Sequence, residues 1–183
     1  MLENALAARV SFSVSNLAVG GYTTTELLPG SGADGNIEDA IGEHPDLILV
    51  GLAGGNDVSS GTSSATFFSR LARLRDVAQA AGIPTFFVST APKDLSDAER
   101  QTLADWAGRM SQSFESCWVP GSTSPYAPCF IDVFDVLVNS SLELAQQFDS
   151  GDGIHLNDAG HAAVFHAVEP IVESYVCRVT ACR

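Results

Sequence analysis

The stretch DLILVGLAGGNDVSSG, residues 46–61, decides how the chain is read. Its first part, "DLILVGLA" (46–53), is an apolar run closed by turn residues, the signature of a strand buried on both faces. Gly54 and Gly55 end it, and Asn56 and Asp57 follow. The next segment places Phe67, Leu71, Leu74, Ala78 and Ala81 on one helical face, and Gly82 closes it. A strand, a polar loop and a helix in that order make one unit of a parallel sheet covered by helices.

The unit repeats outward. "PTFFVST" (84–90) reads as a second strand, and "SDAE" (96–99) is a capping box that opens a helix to about Phe114. "CFIDVF" (129–134) gives a short strand. A helix is expected over roughly 137–147. A last helix begins near Asn157 and carries Val164, Val168, Val172 and Tyr175, with Pro170 expected to kink it or end it early. Upstream, "VSFSVSNLAV" (10–19) alternates at the strand period and ends at Gly20-Gly21. "TTTELL" (23–28) suggests a short helix, and Asn36 an N-cap for a helix through Glu43. "MLENALAARV" (1–10) reads as the tail of an amphipathic helix without a cap. The alternation predicts an α/β fold, and ligands of such sheets bind beyond the carboxyl ends of the strands.

Composition narrows the partners. The 183 residues are 45% apolar and 17% charged, an ordinary globular balance. Nine basic against 22 acidic residues leave a net charge of −13, which argues against a nucleic-acid partner and against an anionic membrane surface. No apolar run is long enough to span a bilayer. Cys117, Cys129, Cys177 and Cys182 show no zinc-ligand spacing. The simplest pairing is two local disulfides, Cys117 with Cys129 and Cys177 with Cys182, which implies an oxidising compartment, although three pairings are open.

Three loops carry the chemistry. Gly20-Gly21 follows the first expected strand, Gly54-Gly55-Asn56-Asp57 the second, and Asp152-Gly153-Ile154-His155 precedes the last helix. Asp152 could accept from His155 Nδ1, fix the tautomer and leave Nε2 as a base. Gly21 could present a backbone N–H, and Asn56 a side-chain amide, to one developing oxyanion. These are the parts of an acyl-transfer site without its nucleophile. Ser13, Ser15, Ser59, Ser60 and Ser150 lie in no context that makes a nucleophile of any of them.

With these motifs in hand, the sequence resembles the SGNH hydrolases, the GDSL family of esterases and lipases. "NLAVGGYTTTELL" (16–28) looks like the family's second block, "GGND" (54–57) its third, and "DGIHLNDAGH" (152–161) its fifth. The resemblance runs from about Val10 to about Val172. It implies a flavodoxin-like three-layer α/β/α sandwich, oxyanion donors at Gly21 and Asn56, and a catalytic pair at Asp152 and His155. Gly54 and Asp57 fall in supporting places, with Asp57 bracing a loop. The family's first block, Gly-Asp-Ser, which carries the nucleophile, has no counterpart here. The expectation is one N-terminally truncated domain over 1–183, lacking the first strand and nucleophile turn, with a secretory signal upstream and little activity of its own.

The reading is a serine hydrolase of carboxylic esters, with acetylated carbohydrate or small esters as substrates, no cofactor and no metal, in an extracellular or periplasmic setting. The alternatives are a non-catalytic binding module on the same scaffold, and a metal-dependent hydrolase using Asp57, Asp152 and His155. No HxH or HxxxH pair anchors a metal. His161 and His166 are expected to pack or face solvent, and His44 to sit at the end of a helix, where a cation is mildly favoured. Trp118 and Tyr126 either line a cleft or belong to a disulfide-braced loop.

Overall fold

The computed structural model describes residues 13–51 and 53–180. Three parallel strands form its sheet in the order β1 (Ile48–Val50), β2 (Thr85–Val88), β3 (Phe130–Ile131). Ile48 pairs with Thr85, and Phe87 with Phe130. Every residue of β2 is buried, the mark of a strand covered on both faces.

The two faces of β2 meet different helices. Phe87 packs with Phe67, Leu71 and Leu74 of α3 (Ser64–Ala80) and with Leu103, Trp106 and Met110 of α4 (Asp97–Phe114). Val88 and Phe86 face the other way, toward Val168, Val172 and Tyr175 of α6 (Asp158–Thr180). Helices therefore cover the parallel sheet from both sides, as in the fold expected from the sequence. Ala81, expected on the buried face of α3, instead forms its exposed C-terminal cap.

The capping signals act as read. Asn36 accepts from the amides of Glu38 and Asp39 and starts α1 (Ile37–Gly42). Glu99 accepts from the amide of Ser96 at the start of α4. Gly82, in the left-handed region at φ +81°, lets the chain leave α3 toward β2.

Four expectations differ from the structure. Residues 13–19 form no strand, and Val14 and Val19 are exposed; the part of that segment at 10–12, and the helical tail at 1–10, lie outside the described residues. Among the described residues no strand pairs with it, so alternation alone does not make a ladder. Residues 23–28 form a turn, because Glu26 accepts from both the amide and hydroxyl of Thr23, and Pro29 follows.

The helix expected over 137–147 is replaced by the short α5 (Phe134–Leu137) and a 3₁₀ turn, Gln146–Phe148. Asn139 captures the amides of Ser141 and Glu143, Leu142 takes φ +62°, and Val138 bridges Leu144. Finally, α6 continues through Pro170 to Thr180 rather than ending early. Burial of Val168 and Val172 on either side of the proline, and a bond from the Tyr175 hydroxyl to Asp46 O, hold both halves against the sheet.

Candidate active site

The loop after β1 turns at once into α2 (Gly55–Ser59), which carries Asn56 and Asp57. Gly54 precedes it at φ +121°, and a Cβ there would touch Phe67, Thr90 and Trp106. A side chain at this position would strain the turn and meet the core. Asp57 is fully buried. It accepts from the Thr24 amide at 3.0 Å and the Thr24 hydroxyl at 2.5 Å, and Arg70 Nη1 lies 3.5 Å away. Burial pushes its carboxyl up against the opposing pull of Thr24 and Arg70. Asp57 thus ties the Thr24 segment to the end of β1.

Asn56 sits at the same junction. Its Nδ2 donates to Tyr22 O at 2.9 Å, next in sequence to Gly21. Gly21 is exposed at φ +86°, and its N–H has no partner among the described residues. Asn56 Oδ1 accepts from Lys93 Nζ at 2.8 Å.

The last loop is built by side-chain capture of backbone amides. Asp149 Oδ1 accepts from the amides of Gly151, Asp152 and Gly153. Asn157 caps α6 by accepting from Gly160 and donates back to the carbonyls of Gln147 and Asp149. Asp152 Oδ1 accepts from the amides of Ile154 and His155, and its Oδ2 lies 2.6 Å from His155 Nδ1. The imidazole beside it, then these amides, hold the Asp152 carboxyl well below the usual range. The His155 side chain is 76% exposed, and its Nε2 has no partner among the described residues.

One loop joins the two groups. Residues 89–96 leave the carboxyl end of β2, where Lys93 meets Asn56, while the next residue, Asp94, donates its amide to Gly153 O at 2.7 Å. The structure therefore brings Asp152 and His155 into contact, brings Tyr22 onto Asn56, and links the two sets through Lys93-Asp94. Asn56 and His155 do not touch directly.

Several side chains carry parts the sequence did not single out. Thr24, Arg70, Lys93, Asp94 and Asp149 frame the loops. Of these, Lys93 left a visible trace, because it is the only lysine in the chain. Tyr126 is buried and stacks on Phe86, so it belongs to the core rather than to a cleft; Trp118 stays 37% exposed. His44, His161 and His166 are exposed. Asp57 is turned into Thr24 and Arg70, and the described residues hold no cluster of three His, Cys, Asp or Glu able to bind a metal. A surface hollow of about 560 Å³ lies elsewhere, lined by Ser64, Trp106 and Arg109.

Cys117 and Cys129 form a disulfide, and Cys177 is disulfide-bonded as well; Cys182, its expected partner, lies outside the described residues. Among the described residues no helix is long and apolar enough to cross a membrane.

Comparison with known proteins gives the family and the fold. The model of the GDSL-like Lipase/Acylhydrolase family matches residues 1–163. Among solved structures, a proposed acylhydrolase from Bacteroides fragilis superposes with a TM-score of 0.65 at 19% identity, covering 86% of this chain and 73% of its own. An acetyl esterase mutant solved with acetate gives a TM-score of 0.64 at 16% identity, over 87% and 70% of the two chains. A carbohydrate esterase family 3 structure from Talaromyces cellulolyticus gives 0.61 at 16% identity, again over 87% and 70%. No curated protein matches the chain significantly.

Proposed function

The chain belongs to the GDSL-like lipase and acylhydrolase family, and from that premise we propose that it carries the acid–base pair and the oxyanion donors of a carboxylic ester hydrolase. The observation that carries the proposal is Asp152 Oδ2 at 2.6 Å from His155 Nδ1, with the opposite ring nitrogen open to solvent. A carboxylate in that place fixes the neutral tautomer with its proton on Nδ1, so Nε2 is the base.

In this reading the attacking group is a serine hydroxyl, and no hydroxyl among the described residues bonds His155 Nε2. The oxygen attacks the ester carbonyl and its proton passes to Nε2. The carbonyl π electrons move onto oxygen, which the Gly21 N–H and the free Asn56 Nδ2 hydrogen stabilise, each worth about 3 kcal/mol of barrier. Collapse breaks the bond to the alkoxy group, which leaves as the alcohol with the proton from Nε2. Water then adds to the acyl-serine with Nε2 again taking a proton, and the acid departs as the serine is restored.

The substrate we propose is a short ester such as an acetylated carbohydrate. His155 is exposed rather than sunk in an apolar tunnel, and two of the superposed structures are named an acetyl esterase and a carbohydrate esterase. The disulfide between Cys117 and Cys129 supports an extracytoplasmic setting.

The test uses the full translation product of the gene, including any coding sequence upstream of Met1. A fluorophosphonate probe should label it at a serine, and His155→Ala should abolish labelling. Labelling that survives His155→Ala overturns the proposal. A full product that neither labels nor hydrolyses aryl acetates does so too, and leaves an ester-binding module without catalysis.

A further inference from the structure

Lys93 occupies a place that its chemistry does not favour by default. It is the chain's only lysine and is half-buried. No carboxylate among the described residues pairs with it, and the adjacent Asp94 lies 4.0 Å from Arg100. Its stem crosses Gly55 so closely that a Cβ there would stand 2.6 Å from Lys93 Cε and 2.8 Å from Cδ. Gly55 is thus the cradle of Lys93, which explains the small residue between Gly54 and Asn56. Burial lowers the ammonium's pKa below 10.5, so the contact with Asn56 is made against a desolvation cost.

The contact decides how the Asn56 amide faces. An ammonium has donors only, and a backbone carbonyl is an acceptor only. Lys93 Nζ therefore demands Oδ1, and Tyr22 O demands Nδ2. The flipped amide would set two donors together on one side and two acceptors on the other. With the observed orientation, one Nδ2 hydrogen is engaged by Tyr22 O and the second has no partner among the described residues.

We propose that Lys93 is a positioning residue for the oxyanion donor: its ammonium locks the Asn56 amide with the free N–H directed at the acyl oxygen. The inference rests on the ester-hydrolase reading, but its first test does not need activity. Lysine labelled with ¹³C at Cε gives a single signal from this chain, because Lys93 is alone. Raising the pH through its ionisation should move that signal and the Asn56 Nδ2 resonances with one common midpoint. In Lys93→Met the Asn56 resonances should no longer follow pH in that range. Gly55→Ala keeps the lysine, pushes its stem aside, and should uncouple the two signals in a folded protein. Asn56 resonances that stay still while Lys93 titrates, or that remain coupled to it in Gly55→Ala, overturn the proposal.

The second test uses the full translation product. Lys93→Met should lower kcat by about 10- to 100-fold with KM held within about twofold, as expected when a transition-state donor is misaligned. In an Asn56→Ala background the same substitution should cost nothing more. An unchanged kcat, or losses that multiply, overturns the role of Lys93. If the wild-type product has no esterase activity, the hydrolase reading fails, and with it the role at an acyl oxygen; the common midpoint then still decides whether Lys93 sets the amide.

Discussion

Asp57 and Asp152 are both carboxylates in the motifs of the proposed site, and their surroundings drive them in opposite directions. Asp57 is sealed inside, so burial raises its pKa although Thr24 and Arg70 favour its charge. Asp152 lies in solvent, where the His155 ring and two backbone amides lower it. The first holds together segments more than thirty residues apart, since Thr24 and Asp57 are separated by 33 positions. The second acts within a span of three residues. One belongs to the frame around the proposed oxyanion donors, the other to the proposed acid–base pair, so substitutions at the two should fail in different ways.

The largest separation is expected from the pair in solvent. His155→Ala in the full translation product should lower kcat/KM by about 10⁴-fold while changing stability by no more than about 0.5 kcal/mol. Asp152→Asn should come close to it in activity, since the amide favours the wrong tautomer. Esterase assays beside urea unfolding check both. A large loss of stability in either would mean that the loop is structural and the comparison false.

Asp57→Ala should show the reverse. It strands the Thr24 hydroxyl and amide and leaves Arg70 without its carboxylate, a loss of about 3 kcal/mol in folding free energy. The unfolding midpoint in urea measures it on the 183-residue chain itself, with no activity needed.

Between the two regions runs the bridge at Asp94. Gly153 takes φ +71°, and a Cβ there would meet Asp94 Cβ at 2.6 Å. Gly153→Ala should therefore cost about 1–2 kcal/mol and push the His155 loop off residues 93–94. Amide exchange should quicken at Asp94, whose N–H is bonded to Gly153 O, and stay unchanged at Thr24.

The same contrast governs what could be read from the sequence. Strand β2 and helices α1, α3 and α4 were legible because apolar period and caps agree: Ser96 with Glu99, Asn36 with Asp39, Phe67 through Ala78; β1 was legible in place, but Leu49 at its centre is exposed, so it is not buried on both faces. Where polar side chains compete for backbone amides, period misleads. Asn139 breaks an expected helix, and Glu26 with Thr23 breaks another. The Asp152–His155 contact was legible because it is local. The partners of Asp57 and Asn56 were not, because Thr24, Arg70 and Lys93 reach them across the fold and no spacing rule encodes such contacts.

The smallest expected effect tests the comparison most directly, through pH. In the unfolded chain both carboxyls titrate near 3.8. Asp57 is raised on folding, so the folded chain keeps a proton that the unfolded chain has released. Its contribution is fully present below 3.8 and is lost as pH rises through the raised folded value. Asp152 is depressed, so its contribution is present above 3.8 and is lost only as pH falls toward its strongly acid folded value. The stability gap between wild type and Asp57→Asn should therefore shift against wild type as pH rises from about 3 to about 6, while the gap to Asp152→Asn shifts in its favour. Urea unfolding of the three proteins across that range reads both slopes, and slopes of the same sign would show that the two carboxylates do not occupy opposite environments.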